Sequence, residues 1–435
     1  MERIRTSEIS SHVGTRIRVA GWLHSFRRLG GITFLVVRDG WGIMQAVAES
    51  EAEIAPLLAA EAGLESIIVI EGQVIGTAQA PGGCELHDLS IEILSPISEV
   101  PPIMLNKTKL NAQPATLLDH APVANRHPQR RAIFRLSAGI IAAYRRILTE
   151  RNFTEIQTPK IVAAATESGA NVFQLDYFGR PAYLAQSPQF YKQIMVGVFE
   201  RVFEVGHVFR AEPHDTTRHL NEYISLDAEF GFIDNHTTVM ALLRDVIGFI
   251  LNSLSENYSP ELELLHTRIP TMPAEVPSIH FADAQELILK LHQVDVRGEP
   301  DLSPQDERWL GAWAQQEFQS DFLFVTGYPM RKRPFYTHPD PQCPEYSNSF
   351  DLLFRGTELV TGGQRLHLHQ DYIVTLERAH LPIAAFDYYL EAFKYGMPPH
   401  GGFAIGLERL LMQLLGIQNV KLTATFPRDL NRLVP

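Results

Sequence analysis

The sequence predicts two domains of the α+β class, in which strands and helices alternate without a fixed order. Three observations support this prediction. Five short β-rich runs occupy the first hundred residues, a long amphipathic helical pattern follows, and the remainder lacks the regular βαβ cadence of a parallel sheet. With 435 residues and 45% apolar composition, the chain can bury a large core in two or three domains.

The N-terminal domain is predicted over residues 1–98. Its β-rich runs are RIRVAGWLHSF, ITFLVVRD, GIMQAVAE, SIIVIEGQVIGTA and CELHDLSIEIL, with the helical run EAEIAPLLAAEAG between the third and the fourth. Five strands with a helix after the third is the order of an OB-fold barrel, a common platform for single-stranded nucleic acid. Residues 1–31 hold six arginines against two glutamates, which indicates either a local nucleic-acid-binding surface or solvated edge strands.

Composition excludes several classes of function. The net charge of −12 argues against a protein that coats nucleic acid, because such binding depends on Lys and Arg. Cys84 and Cys343 have no His or Cys partners at metal-ligand spacing, so we expect free thiols. The N-terminus lacks the apolar segment of a signal peptide, and no apolar run approaches the roughly 20 residues of a membrane helix. We therefore expect a cytoplasmic protein with no membrane partner.

A linker or hinge is predicted over residues 99–130, where prolines and polar residues remove periodicity. The second domain, 131–435, opens with RAIFRLSAGIIAAYRRILTERNF, whose apolar residues have helical spacing. Within this domain, residues 235–320 are predicted as a helical insertion without recognisable chemistry. Walker-type and Gly-x-Gly-x-x-Gly loops do not occur in the sequence, so a bound nucleotide would need a different kind of phosphate-binding site.

Two predicted strands in FRAEPHDTTRHLNEYISLDAEFGFI carry mixed charges. Alternation puts Arg210 and Glu212 on one face of the first strand, and Asp227 and Glu229 on one face of the second. A solvated hairpin explains this alternation. A cleft also explains why Arg stands beside acidic residues. The loop between the strands adds two candidate phosphate ligands, Arg218 and His219.

Polar residues also cluster at a predicted helix start in LAQSPQFYKQIM. Ser187 is predicted as the N-cap and Pro188 as the first helical residue, so that Gln189 and Lys192 share one face. The alternative is an ordinary exposed helix start.

The last two clusters involve glycine-rich breaks. In SFDLLFRGTELVTGGQRLH, Glu358, Thr361 and Arg365 lie around a Gly-Gly pair. Strict alternation separates Glu358 from Thr361, so their convergence requires the strand to bend. In PPHGGFAIGLERLLMQLLG, glycines precede an apolar helix that starts with Glu408 and Arg409. The alternative for Arg409 is a side chain that extends from a buried helix to solvent.

These stretches, in this order behind an OB-like domain, resemble the class II aminoacyl-tRNA synthetases of the aspartate and asparagine subgroup over essentially the whole chain. TEIQTPKI resembles motif 1, with Pro159 at the dimer interface, FRAE and the RHL loop resemble motif 2, and GLERL resembles motif 3. ESGANVF, QSPQFYKQ, GGQR and FPRDLNRLVP extend the resemblance, and archaeal-type aspartyl-tRNA synthetases are the most similar group. The resemblance implies a catalytic domain with an antiparallel sheet flanked by helices, and a homodimer.

The resemblance also implies a reaction in which the α-carboxylate of L-aspartate attacks the α-phosphate of ATP, followed by transfer to tRNA. Arg210, at the α-phosphate, and Arg409, at the γ-phosphate, are implied as catalytic residues. Glu358 and Thr361 are implied to ligate or orient Mg²⁺, which prefers oxygen ligands. The implied ATP-binding residues are Arg210, Ala211, Glu212, Arg218, His219, Leu220, Glu358, Gly406, Leu407, Glu408 and Arg409.

For the amino acid, Arg365 with Lys192 would bind the side-chain carboxylate, since Arg can hold both of its oxygens. Asp227, Gln189 and Ser187 would accept from the α-ammonium group, and Glu167 and Ser168 would lie in a loop that closes over the substrate. The implied aspartate-binding residues are Glu167, Ser187, Gln189, Lys192, Arg210, Asp227, Thr361 and Arg365.

The OB-like domain is implied to bind the tRNA anticodon. Phe34 would stack on the central uracil and Gln45 would hydrogen-bond to it, with Glu85 beside a neighbouring base; the alternative for Phe34 is a place in the barrel core. His24 and Pro81 resemble the form that also charges tRNA-Asn and relies on a tRNA-dependent amidotransferase. The alternative is that both residues serve only strand and turn structure.

Four other functions stay open at this point. An asparaginyl-tRNA synthetase, or a strictly discriminating aspartyl enzyme, would share most of these motifs. A tRNA-independent asparagine synthetase would share the catalytic core but not the OB-like domain. A catalytically silent RNA-binding paralogue would not need Arg210, Glu358, Arg365 and Arg409 together.

Overall fold

The computed structural model describes residues 1–163 and 171–435. The chain divides into two compact units, Met1–His127 and Pro128–Pro435, and the division falls inside the predicted linker 99–130. Glu167 and Ser168, expected in a closing loop, lie outside the described residues.

The first unit is built on a closed five-stranded barrel with the order β1-β2-β3-β5-β4. Inward residues such as Val19, Leu35 and Val37 are fully buried, as period-two alternation requires. The predicted OB order, with a helix after the third strand, is confirmed. Its strands and helices are β1 (Arg16–Leu29), β2 (Ile32–Arg38), β3 (Ile43–Ala48), α1 (Glu51–Ala59), β4 (Ile67–Gly76), β5 (Cys84–Ser95), α2 (Pro114–Asp119) and α3 (Ala121–Ala124).

The second unit combines a large sheet with helices, as predicted for the α+β class. Over its described residues the helices are α4 (Pro128–Glu150), α5 (Gln189–Phe199), α6 (His236–Asn257), α7 (Ser259–Leu264), α8 (Phe281–His292), α9 (Pro304–Phe318), α10 (His369–Arg378), α11 (Asp387–Lys394) and α12 (Leu407–Leu415). The strands are β6 (Thr154–Glu155), β7 (Ile161–Val162), β8 (Gln174–Tyr177), β9 (Arg180–Leu184), β10 (Arg201–Phe209), β11 (Glu222–Gly231), β12 (Ser278–His280), β13 (Phe322–Thr326), β14 (Ser349–Phe354), β15 (Glu358–Gln364) and β16 (His400–Gly406).

Among the described residues, eight strands form the main sheet in the order β12-β13-β14-β15-β16-β11-β10-β6. Neighbours from β13 to β10 pair antiparallel, and the two edge strands pair parallel. A separate small sheet has the order β7-β9-β8. The predicted antiparallel sheet flanked by helices is therefore confirmed.

One face of the main sheet packs against α4 and α6. Leu226, Ala228 and Phe230 of β11 point into this core. Helix α6 is long and apolar enough to cross a membrane by length and composition, but its apolar side chains are buried in this core, as those of a core helix are. The segment 235–320 contains α6 to α9 and also the edge strand β12.

The opposite face of β11 carries Asp227 and Glu229, which are 1% and 0% exposed. A solvated hairpin would leave these carboxylates in water. The observed burial supports the cleft interpretation, because buried charges need partners within the protein. A second apolar cluster around Phe190, Tyr372 and Tyr389, on α5, α10 and α11, lies next to these strands.

Candidate active site and nucleic-acid interface

A cleft in the second unit is lined by residues of β11, β15, β16 and α12. Tyr223, Ser225, Leu359, Ala404 and Val420 also line it and were not predicted. The predicted site residues that line it are Arg210, Glu212, Arg218, His219, Leu220, Glu358, Thr361, Gly406, Glu408 and Arg409.

The two remaining residues of the predicted ATP set lie differently. Leu407 is buried in the hydrophobic core. The backbone N–H of Ala211 donates to the carbonyl of Asn171, 2.9 Å away.

A β-bulge brings Glu358 and Thr361 to the same side of β15. In the register of β14 with β15, Leu352 pairs with Val360 and Leu353 with Glu358, which leaves Leu359 as an extra residue. An extra residue reverses the alternation beyond it, so the bend required by the sequence is present. The Thr361 hydroxyl donates to a Glu358 carboxylate oxygen at 3.3 Å.

Arg409 stands at the start of α12 and contacts this bulge. Its Nη1 donates to the backbone carbonyl of Glu358 at 3.0 Å and lies 3.5 Å from the Glu358 carboxylate. The Arg409 side chain keeps about a third of its surface exposed toward the cleft. It is therefore held in place without being fully neutralised.

The loop between β10 and β11 adds polar groups to the same cleft. His219 Nε2 lies 3.2 Å from the Glu212 carboxylate, and its Nδ1 lies 2.6 Å from the Thr216 hydroxyl. Burial lowers the pKa of His219, and Arg409 and Arg210 lower it further, whereas Glu212 raises it. The positive charge of the cleft thus comes mainly from arginines, which stay protonated.

Two carboxyl groups, one lining this cleft and one in contact with its lining, have raised pKa values because they are buried. The pKa of Glu408 is raised to about 7, and its carboxylate accepts from the backbone N–H of Ile224 at 3.1 Å. The pKa of Glu307 is also raised to about 7, and Glu307 accepts from the backbone N–H of Glu358 at 3.0 Å. Glu307 comes from α9, in the segment where the sequence indicated no chemistry.

Asp351 on β14 is a further acidic residue that was not predicted. It pairs with Thr361 in the register of the two strands. Arg333 Nη2 donates to its carboxylate at 2.9 Å. Burial raises the pKa of Asp351 to about 6, with Arg333 opposing this shift and Glu358 adding to it.

Next to the cleft, four buried charged side chains form a compact group. Lys192 Nζ donates to Asp227 at 2.9 Å and lies 3.3 Å from Glu229. Arg365 Nε donates to Glu229 at 2.9 Å. Each of the four is at most 7% exposed. Glu229 shares the charged face of its strand with Asp227, but the sequence indicates no role for it.

Arg365 is held on one side only. Its Nη2 donates to the Gly402 carbonyl at 3.1 Å and lies 3.5 Å from Gln189 Oε1, while Nη1 has no hydrogen-bond partner among the described residues. Burial opposes the charge on both members of the Arg365–Glu229 pair. The opposite charge of the partner nevertheless outweighs the effect of burial on each residue. The pKa of Arg365 is therefore raised by Glu229, and the pKa of Glu229 is lowered by Arg365.

Gln189 belongs to a helix that starts slightly later than predicted. Helix α5 begins at Gln189, so Pro188 is the N-cap rather than the first helical residue. Ser187 still acts as a cap, since its hydroxyl accepts from the Gln189 N–H at 3.1 Å. Gln189 and Lys192 are both buried, which excludes an ordinary exposed helix start.

Behind Gln189 lies a buried polar network that the sequence did not predict. Gln193 accepts from Gln189 Nε2 and from the Tyr389 hydroxyl, each at 3.0 Å, and donates to Tyr372 and His400. His400 Nδ1 donates to the Pro398 carbonyl at 2.9 Å. Burial lowers the pKa of His400 to about 4, so the ring is neutral and its Nε2 can accept from Gln193.

On the barrel of the first unit, Phe34 is half-buried and lies outside the core cluster. The registers pair it with Val47 and with Arg27, on the outer side of the sheet. Gln45 is also half-buried, and its Nε2 donates to the Glu85 carboxylate at 2.8 Å. This geometry excludes a barrel-core position for Phe34 and leaves it accessible to a ligand.

His24 occupies an irregular position of β1, where the register shifts between Leu23 and Ser25. Its Nδ1 accepts from Arg38 Nη1 at 3.1 Å, and Arg38 in turn forms a buried ion pair with Glu65. Burial and the Arg38 charge lower the pKa of His24 to about 4. Pro81 is exposed at the first position of a 3₁₀ turn, Pro81–Gly83.

Comparisons with known proteins agree with both units. The family described as tRNA synthetases class II (D, K and N) matches residues 113–430, and the OB-fold nucleic acid binding domain matches residues 17–94. The chain belongs to the class II tRNA synthetases. An aspartate–tRNA(Asp/Asn) ligase of Deinococcus radiodurans is 44% identical to this synthetase over 100% of this chain and 99% of its own.

Other relatives of this synthetase carry different specificities. An aspartate–tRNA(Asp) ligase of Pyrococcus horikoshii is 39% identical over 99% of each chain. The crystal structure of asparaginyl-tRNA synthetase from Pyrococcus horikoshii complexed with asparaginyl-adenylate superimposes with a TM-score of 0.92 at 30% identity, covering 100% of both chains. The fold is thus common to aspartate and asparagine enzymes, and specificity depends on individual side chains.

Proposed function

We propose that this synthetase activates L-aspartate with ATP and transfers it to tRNA. The observation that carries the proposal is the buried pair of cations, Lys192 and Arg365, beside an open cleft. Both side chains are hydrogen-bond donors only, and Arg365 Nη1 has no partner among the described residues. A substrate carboxylate supplies acceptors for these donors. The side chain of asparagine would instead direct its NH₂ donor toward the donor groups of Lys192 or Arg365.

The α-ammonium group of the substrate needs acceptors; Asp227 and Gln189 contact the cations, and the Ser187 hydroxyl lies beside Gln189. Asp227, the Gln189 amide oxygen and the Ser187 hydroxyl serve this role in the proposal, with Asp227 held by Lys192 and by the Ser225 hydroxyl. The buried acids also offset the charge of the cations before substrate binds, which reduces the cost of keeping them in the interior.

For ATP, we propose that Arg210 stabilises the charge that develops on the α-phosphate, whereas Arg218, His219 and Arg409 bind the outer phosphates. Fixed guanidinium groups suit this chemistry, because they stabilise charge without giving up a proton. Glu212 would contact the adenine. The predicted loop residue Glu167 stays a proposal for closing over the aspartate.

A Mg²⁺ site fits the donor set at the bulge. Glu358 and Thr361 present a carboxylate and a hydroxyl on one side of β15, and no group of three or more His, Cys, Asp or Glu suited to a metal occurs in the described residues. Mg²⁺ commonly takes one or two protein oxygens together with substrate phosphates and water. When bound, it would neutralise phosphate charge and orient the phosphates.

The proposal for the tRNA includes both tRNA-Asp and tRNA-Asn. The Deinococcus radiodurans relative is named for both tRNAs, and His24 and Pro81 resemble the relaxed form. Phe34, Gln45 and Glu85 would contact the anticodon from the outer face of the barrel. If tRNA-Asn is charged with aspartate, a tRNA-dependent amidotransferase must convert the product to the asparaginyl form.

We also propose a cytoplasmic homodimer, with residues 1–98 as the anticodon-binding domain, 99–130 as the hinge and 131–435 as the catalytic domain. Pro159 and the partly exposed apolar side chains Ile161 and Tyr177 line one surface depression, which suits burial against a second copy. Light scattering at micromolar concentration tests the dimer, and an active monomer of 49.0 kDa would contradict it.

Amino-acid-dependent ATP–pyrophosphate exchange tests the proposed activation step. We expect exchange with L-aspartate and Mg²⁺, and little exchange with asparagine. Robust exchange with asparagine and none with aspartate would establish instead an asparaginyl enzyme, the second candidate that the solved homologous structure favours. No exchange with either amino acid would contradict both.

A further inference from the structure

Helix α9 places one acidic side chain in contact with two residues that line the cleft. Glu307 lies in its first turn and is 9% exposed. Its Oε2 accepts from the backbone N–H of Glu358 at 3.0 Å and lies 3.9 Å from Arg218 Nη1. Glu307 therefore connects the helical segment 235–320 with two residues assigned above to metal and phosphate binding.

The backbone of Glu358 is held from two sides. Its N–H donates to Glu307, and its carbonyl accepts from Arg409 Nη1 at 3.0 Å. This position lies at the bulge that turns Glu358 toward Thr361. A bulge takes backbone groups out of the regular ladder, so side chains that bind those groups determine its geometry.

Close packing fixes the distance between α9 and the turn before β15. A Cβ added to Gly311 of α9 would lie 2.4 Å from the Cα of Gly356, and a Cβ on Gly356 would lie 2.9 Å from the Cα of Arg308. Since neither backbone has room to move closer, the Glu307 carboxylate has a defined position relative to Glu358.

The neighbouring residue Asp306, rather than Glu307, caps the N-terminus of helix α9. Asp306 completes the capping box of α9, because its carboxylate accepts from the Ser303 N–H at 2.7 Å while its own N–H donates to the Ser303 hydroxyl. Glu307 is not part of that box. Its carboxylate is directed to Glu358, so it is not required to start the helix.

We infer that Glu307 is a positioning residue for ATP·Mg²⁺. It holds the Glu358 backbone so that the Glu358 carboxylate and the Thr361 hydroxyl face the cleft, and it orients Arg218 toward the outer phosphates. This inference rests on the proposed function, and it gives the segment 235–320 an indirect part in nucleotide binding, through Glu358 and Arg218.

The test compares Glu307→Ala, Glu307→Gln and the matched control Asp306→Ala. For Glu307→Ala we expect KM for ATP and the Mg²⁺ concentration at half-maximal exchange to rise about fivefold or more, because a buried donor loses its acceptor. KM for aspartate should stay within about twofold of the parent value, since Lys192 and Arg365, the proposed partners of the substrate carboxylate, are held by residues of β11 and not by α9. Glu307→Gln keeps an acceptor oxygen and should lie closer to the parent.

A second readout does not depend on catalysis. Calorimetric titration with α,β-methylene ATP and Mg²⁺, in the absence of aspartate, should show weaker binding for Glu307→Ala than for the parent or Asp306→Ala. Parent-like binding by Glu307→Ala, or an equal loss in Asp306→Ala, would overturn the inference. So would an equal rise of KM for aspartate. A parent enzyme that activates asparagine contradicts the proposed substrate but leaves this comparison intact, because the series can be run with asparagine.

Discussion

Individual charged residues of the buried group beside the cleft act in pairs. Glu229 accepts from Arg365 and contacts Lys192, and Asp227 accepts from Lys192. An unpaired buried charge is costly, whereas a pair with good geometry is tolerated. The pairs therefore allow two cations to stay charged and directed in a nearly dry site, where their interaction with a substrate carboxylate is stronger than in water.

Arg365→Leu should abolish the use of aspartate while ATP binding stays nearly intact. Loss of a desolvated charge partner costs several kcal/mol, so we expect kcat/KM for aspartate to fall by about a hundredfold or more. Exchange kinetics measure this fall, and titration with an ATP analogue measures nucleotide binding. Arg38→Leu breaks a similarly buried pair with Glu65 in the other unit and controls for stability. Aspartate activation within about threefold of the parent would show that Arg365 does not recognise the substrate.

His400 should make stability depend on pH. Burial lowers its pKa from 6.5 to about 4, so the unfolded chain takes up the proton first as the pH falls. The stabilisation from neutral His400 is complete above pH 6.5 and is lost as the pH falls toward 4. Calorimetry of the parent and His400→Gln should show a Tm difference that is smaller at pH 5 than at pH 7. A difference that does not change with pH would contradict this assignment.

At the scale of secondary-structure elements, two irregularities of the central sheet shape the site. The bulge in β15 brings Glu358 and Thr361 together. On the next strand, β16, a Cβ at Gly402 would lie 2.1 Å from the Ala228 carbonyl and 2.2 Å from a Glu229 carboxylate oxygen. Glycine is therefore required there for the sheet to approach the Arg365–Glu229 pair.

Gly402→Ala should damage the aspartate pocket more than the ATP cleft. The added methyl group displaces Glu229 and strains β11, and overpacking of this kind costs about 1–3 kcal/mol. We expect a lower Tm and a larger rise in KM for aspartate than for ATP. Gly197→Ala is the control, because its Cβ meets only the flexible end of Met397, at 3.2 Å. Equal effects of the two substitutions would refute this explanation.

At the scale of the whole molecule, the proposed function assigns the range of tRNAs to the first unit and the choice of amino acid to the second. The anticodons of tRNA-Asp and tRNA-Asn differ in one base. Side-chain contacts that distinguish one base from another are typically worth about 1–3 kcal/mol. His24 is held by Arg38, and Pro81 offers no side-chain donor. In the proposed function, neither group provides a strong preference for cytosine over uracil.

Transcripts of tRNA-Asp and tRNA-Asn should both be charged with aspartate, with kcat/KM values within about tenfold of each other. The double variant His24→Trp, Pro81→Lys introduces a larger aromatic ring and a hydrogen-bond donor that can favour the pairing edge of cytosine, so it should lose tRNA-Asn preferentially. Exchange without tRNA serves as the control and should not change. A parent that charges tRNA-Asn more than about a hundredfold less efficiently than tRNA-Asp is a discriminating enzyme.

Local patterns were sufficient to predict the barrel order, the long helix α4, the antiparallel sheet and most residues that line the cleft of the second unit. Those features follow from periodicity and motif order, which are properties of neighbouring residues. Predictions were less complete where a side chain meets a distant segment. Glu229 had no assigned role, Glu307 was placed in a segment without chemistry, and the network around Gln193 was not foreseen.

The sequence by itself determined the class of each domain, the family and the charged residue types available for catalysis. Only the tertiary structure decided which of these residues meet. Arg365 and Glu229 are 136 positions apart in the chain, and Glu358 and Glu307 are 51 positions apart. Such contacts depend on strand register, on one extra residue in β15 and on close backbone packing at Gly311 and Gly402. Strand register is set by burial of the whole core, because a shift of one residue in register moves every following side chain to the other face of the sheet.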